Sequence, residues 1–185
     1  GKVEGLDVIA DAMMSLTRPT VDLYRHHLSG TGRENLVKDS VYVHVYRKAE
    51  DADLSQLAWR MRRDRQVPVE VVKGEALREV EPALSTDYEA AVLIKEQARA
   101  LDPGRIGKTL AEKAQSMGVE FKQCRIDRLI PKGGGAWEIE TDGGTLEAHR
   151  IVLAMGAWSG KLLSDLGVKV ALEAERGYHL VFKNP

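Results

Sequence analysis

Arg150-Ile-Val-Leu-Ala-Met-Gly-Ala-Trp-Ser159, followed by Gly160-Lys-Leu-Leu-Ser-Asp-Leu-Gly167, is the stretch whose reading decides the fold. Ile151, Val152 and Leu153 form a short unbroken apolar run, the pattern of a strand covered on both faces. The residues then turn small at Ala154, Gly156 and Ala157. Ser159 predicts a helix N-cap, Leu162, Leu163 and Leu166 one apolar helix face, and Gly167 the glycine that ends it. The expectation is buried strand, small-residue turn, short helix. Small residues at such a turn let another backbone, or a ligand's phosphates, approach without a Cβ in the way. Plain packing and a ligand site both satisfy this stretch, so its flanks decide.

The chain has 185 residues, room for one domain with a proper core or two small ones. Its 27 basic and 28 acidic residues balance to a net charge of −1, so neither nucleic acid nor a charged surface is expected as partner. A single cysteine, Cys124, excludes an internal disulfide framework and fits a reducing compartment. No apolar run is long enough to span a membrane, and no secretory signal opens the chain. Gly1 reads as a tag remnant, and the chain stops at Pro185 straight after an apolar strand. The expectation is a piece of a longer protein.

Upstream, Leu6, Ile9, Met13 and Leu16 recur at helical spacing, Pro19 ends or kinks that helix, and Thr20 to Leu28 predicts a second. His26 and His27 are neighbours about 100° apart on a helix, so they cannot chelate one metal from one face. Gly30-Thr-Gly-Arg-Glu-Asn35 nearly spells a dinucleotide-binding loop, but it lacks the last glycine and follows a helix, so it reads as a plain loop. Val41 to Tyr46 alternates as a strand, with His44 on the Tyr42 and Tyr46 side. That face fits either a pocket wall or a half-exposed sheet face. Asp53 predicts a helix to about Arg65 with Leu54, Leu57, Ala58 and Met61 as its stripe, its arginines forming a solvated face. Val67–Val72 and Ala91–Lys95 predict strands, and Glu75–Val80 a short helix stopped before Pro82.

Asp102-Pro103 opens the best-defined helix, with Ile106, Leu110, Ala114 and Met117 on one face and Gly118 closing it. Val119–Phe121 and Cys124–Ile130 read as strand material. Lys132-Gly-Gly-Gly135 and Thr141-Asp-Gly-Gly144 are turn sequences around Trp137–Glu140 and Thr145–Ala148. Together these predict a three-stranded antiparallel meander. Its glycines are hairpin turns and not a phosphate cradle, since no Lys-Ser/Thr follows them. The last segment predicts a strand from Tyr178, interrupted at Gly177 by a bulge or a close approach.

Leu77-Arg-Glu-Val-Glu-Pro82, Leu101-Asp-Pro103, Ala114-Gln-Ser-Met-Gly-Val119, Ile151–Ser159 and Glu175-Arg-Gly-Tyr178 occur in an order and spacing that resembles the D-amino acid oxidase/dehydrogenase family of FAD-dependent oxidoreductases, closest to its D-amino acid dehydrogenase branch. The resemblance is looser upstream of Leu77. It implies a mixed α+β fragment of a two-domain flavoenzyme: residues 1–100 as helices and strands of the substrate domain, 101–170 as part of the FAD-binding domain with its β-meander, 171–185 as a return to the substrate domain. It implies FAD as cofactor, with Ile126 near the adenine end. Ala154, Met155 and Gly156 would lie beside the pyrophosphate and ribityl region with Trp158 close by, and Arg176 and Gly177 towards the flavin ring. The implied reaction is hydride transfer from the α-carbon of a D-amino acid to the flavin, giving a 2-oxo acid and ammonia, with oxygen or a quinone as electron acceptor. The hard chemistry is the cofactor's, so no side chain is named as acid or base. The implied location is cytoplasmic, free or peripheral to the inner face of the membrane. The family's strand-Gly-x-Gly-x-x-Gly-helix is not among these residues, so the piece alone is expected to bind FAD weakly or not at all and to be inactive. A sibling flavoenzyme of the glycine oxidase, sarcosine oxidase or glycerol-3-phosphate dehydrogenase type, or a non-enzymatic α+β ligand-binding module, are the other readings.

Overall fold

Ala90, Ala91, Val92 and Leu93 are all buried, an unbroken run that only a strand covered on both faces tolerates. In the computed structural model, which describes residues 5–178, they begin the middle strand of an antiparallel sheet. Its order is β1 (Val37–Tyr46), β3 (Ala90–Ala100), β2 (Val69–Lys73). Both long strands exceed their predicted cores at Val41–Tyr46 and Ala91–Lys95, because the polar stretches Val37–Ser40 and Gln97–Ala100 pair with each other. The register steps from Ser40–Gln97 to Tyr42–Ile94, which sets Val41 against Lys95 and Glu96; Glu96 takes φ +58° at this bulge.

Alternation along β3 feeds two cores. Ala90, Val92 and Ile94 pack with Ala52, Leu54, Tyr46 and Trp59, whereas Ala91 and Leu93 pack with Val72, Leu77, Val43 and Leu84. The first core is closed by α3 (Leu57–Asp64) and the second by α4 (Glu75–Val80). The helix predicted from Asp53 is shorter than expected: the Asp53 carboxylate accepts from the Ser55 amide at 2.8 Å and hydroxyl at 2.6 Å, making a turn, and the helix starts four residues later. Its buried residue is Trp59, while the expected stripe residue Leu57 is 43% exposed. The indole carries more apolar area, and its Nε1 finds the Tyr46 hydroxyl at 3.0 Å.

Two helices precede the sheet as predicted, α1 (Leu6–Thr17) and α2 (Thr20–Leu28), separated at Pro19. The Gly30–Asn35 loop is a turn, and its backbone explains why it is no phosphate cradle. The Glu34 carboxylate takes the Gly30 N–H at 2.8 Å, and hydrogen bonds from its own N–H and from those of Gly30, Gly32 and Thr31 hold its pKa below the ordinary value. The loop's donors are thus spent within the protein, the Gly30 amide on Glu34 and the Thr31 amide on the Leu28 carbonyl at 3.1 Å. Next comes α5 (Pro103–Ser116), capped as expected: the Asp102 carboxylate accepts from the Arg105 amide at 2.8 Å, and Gly118 at φ +94° closes the far end. It lies against α2, whose last carbonyls at His27 and Ser29 accept from Lys113 Nζ at 2.8 and 3.0 Å.

The chain divides into two compact units, one running through Val119 and the other starting at Glu120. By its contacts α5 belongs to the first. The second unit holds the predicted meander, β4 (Ile126–Pro131), β5 (Trp137–Thr141) and β6 (Gly144–Ala148), antiparallel throughout. Its hairpin closes with Gly144 at φ +117° and the Thr141 hydroxyl donating to the Gly144 carbonyl at 2.6 Å. Then α6 (Ser159–Asp165) lies against β4, burying Ser159 and Leu162.

Three expectations need correction here. Val119–Phe121 forms no strand, and Phe121 is exposed. Ile151–Leu153 is not in a ladder either, and Val152 is 88% exposed. A strand buried on both faces needs a neighbour on each edge, and no strand among the described residues pairs with it. Ser159 is the first helical residue and not the N-cap, because a short 3₁₀ turn over Gly156–Trp158 runs into the helix. The strand expected from Tyr178 lies almost wholly outside the described residues.

Leu77, fully buried under the sheet, sets a test of the second core. Leu77→Ala should cost about 2–5 kcal/mol in chemical denaturation, as other buried leucines do. A loss under about 1 kcal/mol would mean that α4 does not close this face.

Candidate cofactor-facing site

The turn between Arg150–Leu153, which forms no helix or strand, and α6 is built from backbone. Gly156 sits at φ +57°, a conformation costly for any residue with a Cβ. A Cβ added there meets nothing within 4 Å, so the glycine is required by its dihedral and leaves open space in front of it. The Trp158 amide donates to the Met155 carbonyl at 3.3 Å, which closes the 3₁₀ turn. Ala154 and Ala157 are exposed, Met155 is half-buried and the Trp158 ring stands 77% exposed. At the far end of α6 the Val168 and Gly167 amides donate to Leu163 and Ser164 at 2.9 Å each, with Gly167 at φ +76°. The turn is thereby held at one end of a capped helix while its own face stays bare.

The other expected site residues are placed differently. Ile126 is the half-buried first residue of β4, opposite Thr141. Arg176 and Gly177 are exposed in a segment with no helix or strand. No hydrogen bond among the described residues joins them to the 154–158 turn. Beside Ile126 lies a charged edge. The Arg125 guanidinium donates to Asp127 at 2.8 Å, and that hydrogen bond chiefly, with the charges of Arg125 and Lys161, holds the Asp127 carboxyl below its ordinary value of 3.8. In the first unit, His44 is exposed with its ring 5.0 Å from Tyr46 and 5.5 Å from Trp59, centroid to centroid. It covers the edge of a packed core, the half-exposed face the alternation allowed.

The residues present fit a flat, polyphosphate-bearing cofactor in one respect the structure shows. They offer an open glycine, two small neighbours and an exposed aromatic ring in five consecutive residues, with no side chain filling the approach. They offer no group able to move a proton.

Comparison with known proteins identifies the family. The chain belongs to the family described as "FAD dependent oxidoreductase", which matches residues 4–185. It is 28% identical over 176 residues to a D-amino-acid oxidase of Bradyrhizobium diazoefficiens, covering 95% of this chain and 42% of that protein. It is 38% identical over 117 residues to a D-amino acid dehydrogenase of Allorhizobium ampelinum, covering 62% of this chain and 28% of that one. Among solved structures it resembles a glycine oxidase from Geobacillus kaustophilus (TM-score 0.67, 22% identity, 81% of this chain and 40% of that one) and an L-proline dehydrogenase from P. horikoshii (TM-score 0.68, 19% identity, 82% and 40%). The chain therefore spans less than half the length of the relatives it matches. The mixed α+β fold and the FAD dependence of the family stand as expected from the sequence. No helix among the described residues is long and apolar enough to cross a membrane.

Two measurements check this site. Gly156→Ala should destabilise the chain by about 1–2 kcal/mol through its backbone alone, and Gly156→Asn should recover part of the loss because Asn tolerates a positive φ better. Equal losses for both would mean a steric requirement instead. For Asp127, a folded-state pKa below the unfolded one contributes stability that is present above the ordinary carboxylate range and lost as pH falls through the lowered value. Thermal stability should stay flat from pH 7 to about 5 and fall below about 4. Asp127→Asn should shrink that fall, and an unchanged acid profile would contradict the assignment.

Proposed function

We propose that this chain is a central piece of an FAD-dependent enzyme that oxidatively deaminates D-amino acids to 2-oxo acids and ammonia. The supporting observation is the alignment of 95% of the chain with a D-amino-acid oxidase. The higher identity to a D-amino acid dehydrogenase over 117 residues favours that branch and leaves oxygen or a quinone as the acceptor. When bound, FAD supplies the electron sink for a hydride from the substrate α-carbon. The chain's own residues position and shield. In this reading Ala154, Met155 and Gly156 form the wall beside the pyrophosphate and ribityl chain, Trp158 covers it, Ile126 lines the adenine end through its backbone, and Arg176 and Gly177 lie towards the ring. Residues 1–100 serve the substrate side, 101–170 the cofactor side, and 171–185 return to the substrate side.

A second reading has its own support. The chain is 28% identical over 134 residues to a glycine oxidase of Pseudomonas putida, covering 72% of this chain and 36% of that protein. The full-length polypeptide that carries this chain, loaded with FAD and reduced without oxygen by a panel of amines, separates the two. Bleaching of the flavin bands by D-alanine and other D-amino acids supports the first reading. Bleaching by glycine or sarcosine alone supports the second. The isolated 185-residue chain is expected to purify colourless and inactive; a yellow protein with bound flavin would show that the wall alone suffices.

A further inference from the structure

We draw no further inference here: the strongest candidate, the concavity beside the α3–β2 turn lined by Arg18, Arg62 and Lys95 together with Gln66 and Glu96 at φ +59° and +58°, is open to solvent with its cations already engaged by the Arg65 carbonyl, the Trp59 ring and Glu70, and nothing in the structure shows what covers it.

Discussion

Two-sided burial of the first half of β3 is the constraint on which the first unit depends. Ala90 to Leu93 are at most 4% exposed, and the alternation of a strand sends successive residues to opposite faces. Each face must then be covered separately. On one side Trp59 and Ala52 provide the cover, on the other Leu77 and Val72. The two alanines at the start of the strand matter for this, since small residues let cover approach closely. Edge strands β1 and β2 complete its ladders, so neither edge of β3 carries unpaired backbone groups along this stretch. The polar parts of the unit are arranged around that centre, including the Lys113 contacts to the end of α2 and the Arg65 hold on α1.

The second unit is built on a different principle. Its strands are consecutive, its turns are short and its register is set by hairpin chemistry at Thr141–Gly144. Such a meander needs little long-range burial, and few of its residues are buried, Leu129 and Leu162 among them. The cost appears where local chemistry ends. Ile151–Leu153 has the composition of an interior strand, yet Val152 stands almost fully in solvent. Local rules specify the meander and α6 around it; they cannot supply the neighbours an interior strand requires.

This separates what could be read from residues alone from what could not. The helices over Leu6–Thr17, Thr20–Leu28 and Glu75–Val80, the capped α5 and the whole meander follow from periodicity, caps and Asp-Gly turns, all short-range signals. The α3 stripe was misread because Trp59 offers one large buried area where the period weighed several smaller ones. The hydrogen bonds of the Arg65 guanidinium to Asp7 and Asp11 were invisible because nothing local marks a contact across more than fifty residues. For the Ala154–Trp158 turn, the glycine and its small neighbours are legible as an open turn. The proposal that the turn faces FAD comes only through resemblance, since an open positive-φ glycine is equally the signature of ordinary turns.

That limit bears on specificity. The turn at Ala154–Trp158 presents backbone, small side chains and one indole, and none of these distinguishes one enantiomer or one amine from another. The fold of most of the chain recurs, at TM-scores of 0.67 and 0.68, in proteins named for glycine and for L-proline. A fold shared by proteins named for such different substrates does not itself carry substrate choice, which resides in particular side chains. The geometry of the turn thus governs how closely another group can approach it, and leaves choice among such groups to side chains elsewhere.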